Sequence, residues 1–387
     1  MPHSDKQMIS FFLTTRCNLC CAYCYNMEER EQLDEITLPL EIAKGGIDWY
    51  FKKNASRHTS RHIRFYGPGE PSYELQLMKD ITTYAREVGG ASVTVEIQTN
   101  GIWSMGAREW ILDNLNIVWM SFDGLPETHN KLRPLNEKYK DAFGGRSSAE
   151  IVEDNTKWLI QNKGNRNLVV GARVTMTDDN IAQQREMVDY FHSLGIKHIW
   201  TNPLFHSVCR EPVVGNQERI DKFKFNMPLY LENYIDAYEY AKSKGLFWGS
   251  FLIINFDGEC IHHCRACTPL KAPHLTPDGY LSACDLVLLG SEPRHMEPFV
   301  FGKWNEATKQ FDICQDKVDT LLRRQAGHIK MEHCQKCVAK NHCAGYCPGE
   351  VLNETGTLYG QKNMACLGVR TLFKRLGKLE KFDLLHP

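Results

Sequence analysis

The sequence predicts an α/β protein, six strand–helix units followed by a small cysteine-rich region, and three observations predict it. Over the first two hundred residues short apolar runs alternate with amphipathic stretches, the pattern of a parallel sheet wrapped by helices. A helical pattern rich in Tyr and Phe then runs from about residue 219 to 245. From Phe251 onward cysteines, histidines, glycines and prolines punctuate short segments. A core so poor in long periodic elements is small, and metal sites are expected to hold it together. The expected organisation is a first domain over 1–215, a helical linker over 216–250 and a second domain over 251–387.

The strands are expected at 8–14, 62–66, 93–98, 117–122, 168–176 and 198–202. Each is short and apolar and is followed by a turn signal. The helices between them are expected at 38–53, 74–88, 107–114, 149–161 and 181–194, the last closed by Gly195 as a C-cap. Six such units make either an open barrel or a doubly wound sheet. In both, chemistry collects at the C-terminal ends of the strands, and the informative residues do fall there.

The chain has 387 residues, 42% hydrophobic and 24% charged, with a formal net charge of −1. No global charge points to nucleic acid or an anionic membrane. No apolar stretch approaches the roughly 20 residues a spanning helix needs. The N-terminus lacks a basic region followed by a long apolar one, so no signal peptide is expected and the expected location is the cytoplasm. Fifteen cysteines stand out. They group towards both ends of a long chain at chelating intervals, which points to metal or cluster ligation and away from a disulfide framework.

Cys17, Cys21 and Cys24 follow the first strand, spaced by three residues and then two, with Tyr23 directly before the last thiol. Three thiolates on one short loop can hold three corners of a four-iron cubane and leave one iron open to a substrate or cofactor. The alternative is a structural zinc site, but such sites use paired knuckles, and no second pair lies nearby. Cys20 is off the spacing and reads as a spare thiol.

This loop resembles the signature of the radical S-adenosylmethionine (SAM) enzymes, and the resemblance continues in order. Tyr66-Gly67-Pro68-Gly69-Glu70-Pro71, after the second strand, is similar to the family's glycine-glycine-glutamate-proline motif. Pro68 replaces the usual first glycine and removes one N–H donor. The resemblance implies that Gly69 and Glu70 meet the amino end of SAM. Gln98-Thr99-Asn100-Gly101 ends the third strand and Ser121-Phe122-Asp123-Gly124 the fourth. By resemblance Tyr23, Asn100, Ser121 and Asp123 belong to the cofactor site, the last two towards the ribose. Arg133 is a candidate for a carboxylate of SAM or substrate, and Arg173, within the fifth strand, is a second candidate for the SAM carboxylate.

The second array is Cys267, eleven residues, Gly279, four residues and Cys284, then Cys334-x2-Cys337-x5-Cys343-x3-Cys347 and a final Cys366. It resembles the SPASM extension of radical SAM enzymes, and all seven cysteines of that pattern are present. A zinc ribbon is the alternative for the short pairs alone. The resemblance implies a partial (β/α)6 TIM-like barrel followed by a cysteine-rich SPASM domain, with SAM and three [4Fe-4S] clusters as cofactors. It assigns Cys334, Cys337, Cys343 and Cys366 to an outer auxiliary cluster, and Cys267, Cys284 and Cys347 to an inner one. Cys260 or Cys264 completes the inner set, and the sequence does not choose between them. Cys209 and Cys314 read as buried bystanders.

The implied chemistry is reductive cleavage of SAM to a 5′-deoxyadenosyl radical that abstracts hydrogen from a substrate. Asp285, directly after Cys284, matches the aspartate that sulfatase-maturating members use as a base. SPASM enzymes mostly modify peptides or proteins, so the expected function is peptide maturation by crosslinking, epimerisation or oxidation. Sulfatase maturation and oxidation of a carbohydrate-like small molecule are the alternatives, and a non-catalytic iron–sulfur electron carrier leaves the SAM-type motifs unexplained. A reducing partner such as flavodoxin or ferredoxin is implied. Because the cysteine loop begins at residue 17, no leader-binding module is expected before it. Recognition is then left to the barrel, the SPASM domain or a separate leader-binding protein. The segment 209–214 and the aromatic linker helix are candidate channel walls.

Overall fold

Alternation decides the architecture, because strand residues of opposite parity face opposite layers. The computed structural model describes residues 7–24, 35–53, 61–204, 225–254, 256–257, 269–327, 331–343, 345–361 and 363–379. Its strands begin with β1 (Gln7–Phe12), β2 (Arg61–Tyr66), β3 (Thr94–Thr99), β4 (Ile117–Ser121), β5 (Val169–Met176) and β6 (His198–Pro203). They pair in that order and all in parallel. Helices Leu40–Lys53, Leu75–Gly89, Met105–Asn114, Ser148–Asn162 and Gln184–Ser193 fill the connections. Ser147 caps one of them with a reciprocal Glu150 contact, and Gly195, at φ +80°, ends another.

The stretch expected as a helical linker holds more than a helix. After helix Met227–Ser243 the chain turns at Gly245 (φ +71°) and forms β7 (Phe247–Ser250), parallel to β6. Four residues carry no readable period, so sequence patterning passed over this strand. Its Gly249 leaves room for Trp200, whose ring lies 2.8 Å from where a Cβ would sit.

On one face of the sheet Ile9, Phe11, Ile63, Phe65, Val95, Ile97, Val118, Met120, Val170 and Val174 form the main core with the helices. The opposite face carries a separate small cluster of Ile117, Trp119, Val169 and Trp200, and beside it the polar Ser10, Arg64, Glu96 and Arg173. Gly171 admits the Trp119 ring, 2.3 Å from a hypothetical Cβ. Arg173 on β5 feels the charges of Glu96 on β3 and Arg64 on β2. The sheet therefore curls so that this second face is the lumen of a partial barrel.

The C-terminal region joins the same sheet. β8 (His274–Leu275) pairs with β1 in parallel, Ser10 opposite His274. β9 (Tyr280–Ser282), β10 (Val300–Asn305) and β11 (Gln310–Ile313) follow antiparallel, giving eleven strands in the order β11-β10-β9-β8-β1-β2-β3-β4-β5-β6-β7. Gly279 (φ +82°) makes the β8–β9 turn. Helix Leu40–Lys53 is shared between the two regions. Its Tyr50 hydroxyl donates to the Lys271 carbonyl at 2.9 Å, and its Gly45 lies under the Trp304 ring.

A Cβ at Gly45 would lie 2.2 Å from that ring. Gly45→Leu should therefore lower stability by about 1–3 kcal/mol through overpacking. A shift of the thermal midpoint, followed by Trp fluorescence, checks it; an unchanged midpoint would mean that this helix does not hold the C-terminal strands.

Candidate functional site

The cysteine loop after β1 is clamped on two sides. On one, Arg16 O accepts from Glu70 N at 2.7 Å, in the turn after β2. On the other, Cys20 N donates to Pro134 O and Ala22 N to Leu132 O, both at 2.9 Å, and Leu19 bridges Leu135. Within this frame Asn100 Nδ2 points at Cys17 Sγ (3.7 Å) and Arg133 Nη1 at Cys21 Sγ (3.9 Å). Burial pushes the Cys21 thiol well up, against the opposing charge of Arg133. N–H donors directed at two of the three sulfurs suit a bound iron–sulfur cluster. Cys20 is exposed and lies off this arrangement.

Asp123 ties the loop to the barrel. Its carboxylate is fully buried and accepts from the Tyr23 hydroxyl, from Arg133 Nε at 2.7 Å and from Thr175 N at 2.9 Å. Arg133 in turn lies over the Tyr23 ring, 5.2 Å from its centroid. Three donors from separate parts of the chain thus converge on Asp123, which anchors the loop to β5. Arg133 is 9% exposed, so it is no solvated surface arginine. His129 Nδ1 accepts from Asp123 N at 3.2 Å, and burial drives this imidazole down to about 3, which keeps it neutral.

Gly69 and Glu70 show why that motif has its residue types. A Cβ on Gly69 would lie 2.3 Å from Thr14 O and 2.4 Å from Arg16 O, so backbone packs on backbone there. Glu70 is buried and receives Thr99 Oγ1 at 2.6 Å, Asn100 N at 2.7 Å and Ser72 N at 3.0 Å. It fixes the end of β3, and through Asn100 the environment of Cys17. Burial raises the Glu70 carboxyl while these donors oppose the rise.

Below the loop lies the lumen. Ser121, the last residue of β4, lies opposite Arg173 in the middle of β5, and no hydrogen bond reaches the Ser121 hydroxyl or Arg173 Nε from the described residues. The Arg173 guanidinium rests over Trp119 and Trp200, 5.3 and 5.9 Å from the rings. Arg64 Nε donates to Ser10 Oγ at 2.9 Å and its guanidinium covers Tyr66 at 4.7 Å. The Tyr66 hydroxyl reaches Asp285 Oδ2 at 3.4 Å. Burial raises the Asp285 carboxyl, opposed by Arg64. Arg64 and Glu96 were absent from the sequence reading, and Tyr66 entered it only as a motif letter. Their period-2 spacing with His62, Thr94 and Gln98 marks one polar strand face, the signal that could have found them.

No disulfide joins any two of the eleven described cysteines. Cys334, Cys337, Cys343 and Cys366 line one cavity of about 500 Å³, open mouth included, with His333, Lys340 and Arg370. Cys284 and Cys347 lie elsewhere and are buried. Gly349, in the first turn of the helix Pro348–Thr355 that Cys347 caps, would put a Cβ 2.6 Å from Cys284 Sγ. Tyr346, just before Cys347, holds φ +66°, a conformation that L side chains rarely adopt. Arg324, fully buried, donates to Leu358 O at 2.9 Å and Gly345 O at 3.0 Å, bracing the chain on both sides of this helix. Cys314 is exposed, which corrects its reading as a buried bystander. Cys209, Cys260, Cys264, Cys267 and the segment 209–214 lie outside the described residues. Among the described residues, no group of three or more His, Cys, Asp or Glu side chains is placed to hold a single metal ion. No helix among the described residues is long and apolar enough to cross a membrane.

Removing Arg133 strands a buried carboxylate. Arg133→Gln should cost about 3–5 kcal/mol and lower the iron bound by the reconstituted protein. Adding Asp123→Asn should recover part of the stability, because the unpaired charge is then gone. Thermal midpoints of the single and double variants, with iron assays, decide this; no recovery in the double variant would reject Asp123 as the reason.

No protein-family model matches the chain. A serine-type anaerobic sulfatase-maturating enzyme of Klebsiella aerogenes is 23% identical over 389 residues, 96% of this chain and 83% of that protein. An uncharacterised protein of Methanocaldococcus jannaschii is 28% identical over 259 residues, covering 64% of this chain and 81% of the relative. The Fe-coproporphyrin III synthase of Methanosarcina barkeri is 26% identical over 229 residues, 59% of this chain and only 51% of that enzyme. Among solved structures, native anSMEcpe with bound AdoMet superposes with a TM-score of 0.69 at 17% identity, covering 95% of this chain and 96% of that one. Streptococcus suis SuiB bound to the precursor peptide SuiA gives 0.61 at 16% identity, covering 94% and 76%. In the order of its motifs, in its fold and in its sequence relatives, the chain resembles the radical SAM enzymes that carry a SPASM domain.

Proposed function

We propose that this protein is a radical SAM enzyme that modifies a residue of a peptide or protein. The observation that carries the reading is the pairing of two features across one lumen. A three-thiol loop with N–H donors aimed at its sulfurs closes one end, and Asp285, hydrogen-bonded to Tyr66, reaches in from the C-terminal region. Cys17, Cys21 and Cys24 would hold the SAM-binding cluster. Bound SAM would supply a 5′-deoxyadenosyl radical, and the protein's part is to place the substrate and exclude water.

Ser121 and Arg173, whose hydroxyl and Nε receive no hydrogen bond from the described residues, would receive the polar end of SAM beside Asp123 and Arg133. Glu70 and Asn100 fix the loop from the side of β3. Cys334, Cys337, Cys343 and Cys366 would hold the outer auxiliary cluster around their shared cavity. Cys284 and Cys347 belong to the inner one, with Cys267 and either Cys260 or Cys264. Asp285 would take the proton as a substrate radical gives up one electron to the auxiliary centre that Cys284 would help to hold.

Peptide-bound structures of two similar folds support a peptide substrate, one of anSMEcpe with AdoMet and the Cp18Cys peptide, the other of SuiB with SuiA. Sulfatase maturation, conversion of Cys or Ser to formylglycine, is the second reading, favoured by a sulfatase-maturating relative that matches 96% of this chain. The pair Arg64 and Arg173 in the lumen equally suits a small anionic substrate. The synthase relative that would favour that reading matches over only half its length.

Anaerobically reconstituted protein given reductant and SAM should release 5′-deoxyadenosine; no release with clusters intact would reject the enzyme reading. Asp285→Asn should keep that release within about twofold while product from a cognate peptide falls by about a hundredfold, the scale of a lost general base. Chromatography of 5′-deoxyadenosine and mass spectrometry of the peptide separate the two effects. Equal product from the variant would remove Asp285 from the chemistry.

A further inference from the structure

The lumen holds positive charge that its own carboxylates do not pair. Arg64 on β2 and Arg173 on β5 are both half-buried, and neither forms an ion pair with a described residue. The two carboxylates whose charges reach them are engaged elsewhere. Glu96 Oε2 lies 3.0 Å from His62 Nε2, and Asp285 Oδ2 takes the Tyr66 hydroxyl at 3.4 Å. Burial opposes ionisation of Glu96, but the His62 contact, with the charges of both arginines adding, holds its carboxyl down at about 2.

Arg64 is the cation built to grip. Its Nε donates to Ser10 Oγ at 2.9 Å, and its guanidinium lies over the Tyr66 ring, 4.7 Å from the centroid. One edge and one face are thereby fixed, while neither terminal nitrogen donates to a described residue. A guanidinium held at Nε presents those two nitrogens end-on, the fork that matches a carboxylate.

A second group stands beside it. His274 lies opposite Ser10 in the β8–β1 pair and so shares its face of the sheet. The residue is 3% exposed, and its Nδ1 meets no partner among the described residues. Burial, with the Arg64 charge adding, drives this imidazole well below its usual range, so it is neutral and has one N–H to give. A buried polar atom without a partner is costly, and a hydrogen-bonding ligand group removes that cost.

Depth sets Arg64 apart from Arg173. The register joins Arg64, Glu96, Ile117 and Val169 in one row, and Arg173 lies beyond it, level with Ser121. Tyr66, which carries Asp285, stands one alternation above Arg64, about 7 Å along the strand. A group held by Arg64 would therefore lie deeper than a carbon facing Asp285 and a few bonds from it. A phosphate dianion suits this place poorly, because the ionised Glu96 stands in the same row. One negative charge on a flat group suits the single fork.

We propose that Arg64, with His274 beside it, is the binding site for a carboxylate of the substrate, an inference that rests on the lumen being the substrate chamber of a radical SAM enzyme. The terminal nitrogens of Arg64 take the two carboxylate oxygens, and the His274 ring adds a neutral donor. The carboxylate belongs either to an acidic side chain of a peptide or to a small organic acid.

The test measures binding by calorimetry on the full-length, cluster-loaded protein with SAM. One probe pair is a short peptide with a single central glutamate and its glutamine counterpart; the other is glutarate and glutaramide. In the parent at least one acid should bind about tenfold or more tighter than its amide, the scale of charge-assisted hydrogen bonds. Preference within the peptide pair assigns the carboxylate to a side chain, and preference within the small pair alone assigns it to a free acid; both uphold the site. Arg64→Gln should abolish the preference, and Arg64→Lys should restore only part of it, because an ammonium lacks the fork. Ser10→Ala, which frees Nε and keeps the charge, should weaken acid binding by less than Arg64→Gln does. Iron content and the thermal midpoint identify a misfolded variant, and the comparison in the parent needs no variant. Equal affinity of acid and amide in both pairs would overturn the proposal, as would a preference that survives in iron-replete Arg64→Gln. Absence of 5′-deoxyadenosine after adding reductant would reject the enzyme reading, while the acid–amide comparison would still judge the carboxylate site.

Discussion

The buried carboxylate of Asp123 is the constraint on which the rest of the site depends. A charge with no solvent exposure costs several kcal/mol unless it is paired and hydrogen-bonded. Here the pairing comes from three parts of the chain: Tyr23 in the cysteine loop, Arg133 after helix Pro126–Leu132, and the backbone of Thr175 on β5. None of the three can move without exposing the carboxylate to an unmet cost. The cysteine loop is thus fixed to the barrel by a polar requirement more specific than apolar packing. Arg133 also turns Nη1 to Cys21, so one guanidinium serves both the anchor and a sulfur.

The second clamp works by the absence of a side chain. Gly69 lets the turn after β2 lie directly on the Thr14–Arg16 backbone, and Glu70 then converts that proximity into three hydrogen bonds to its own turn and the end of β3. The motif's glycine and glutamate therefore do different parts of one job. Gly69 sets how close the two loops come, and Glu70 sets where Asn100 and hence its donor to Cys17 will stand. Pro68 fits the same logic: the hydrogen bond across to the cysteine loop comes from Glu70 N, so an N–H at 68 is not what joins these turns.

What the sequence made legible follows from which signals are periodic. Six strands and the helices between them were readable because each repeats an apolar step several times, and the cysteines because their spacing is itself the chemistry. The four-residue β7 and the two-residue β8 were not readable, since elements that short hold less than one full pattern and owe their pairing to neighbours. Roles inside the site were legible by residue type but not by partner. Asp123 and Arg133 were both picked out, yet their attachment to each other depends on a loop closing across ten residues. Arg64 and Glu96 were missed because a polar residue alternating with core positions reads as solvent-facing, whereas in a curled sheet that face is the lumen.

The register of the short strands explains how the two cysteine regions come to share one lumen. Ser10 lies opposite both Arg64 on β2 and His274 on β8, and His274 lies opposite Ser282 at the end of β9. Because β9 runs antiparallel to β8, its chain leaves the sheet at the level of Ser10 and Arg64, not at the strand ends where Cys17 emerges. Three residues further on, Asp285 reaches the hydroxyl of Tyr66, one alternation above Arg64 on the same strand face. The cysteine loop thus approaches from the C-terminal mouth of the barrel while Asp285 approaches through its edge. Under the function proposed above, a substrate lying between them would meet a hydrogen-abstracting end and a proton-accepting end from different directions. That arrangement needs β8 to be hydrogen-bonded to β1, so the C-terminal region serves as a wall of the barrel and not merely as an appendage to it.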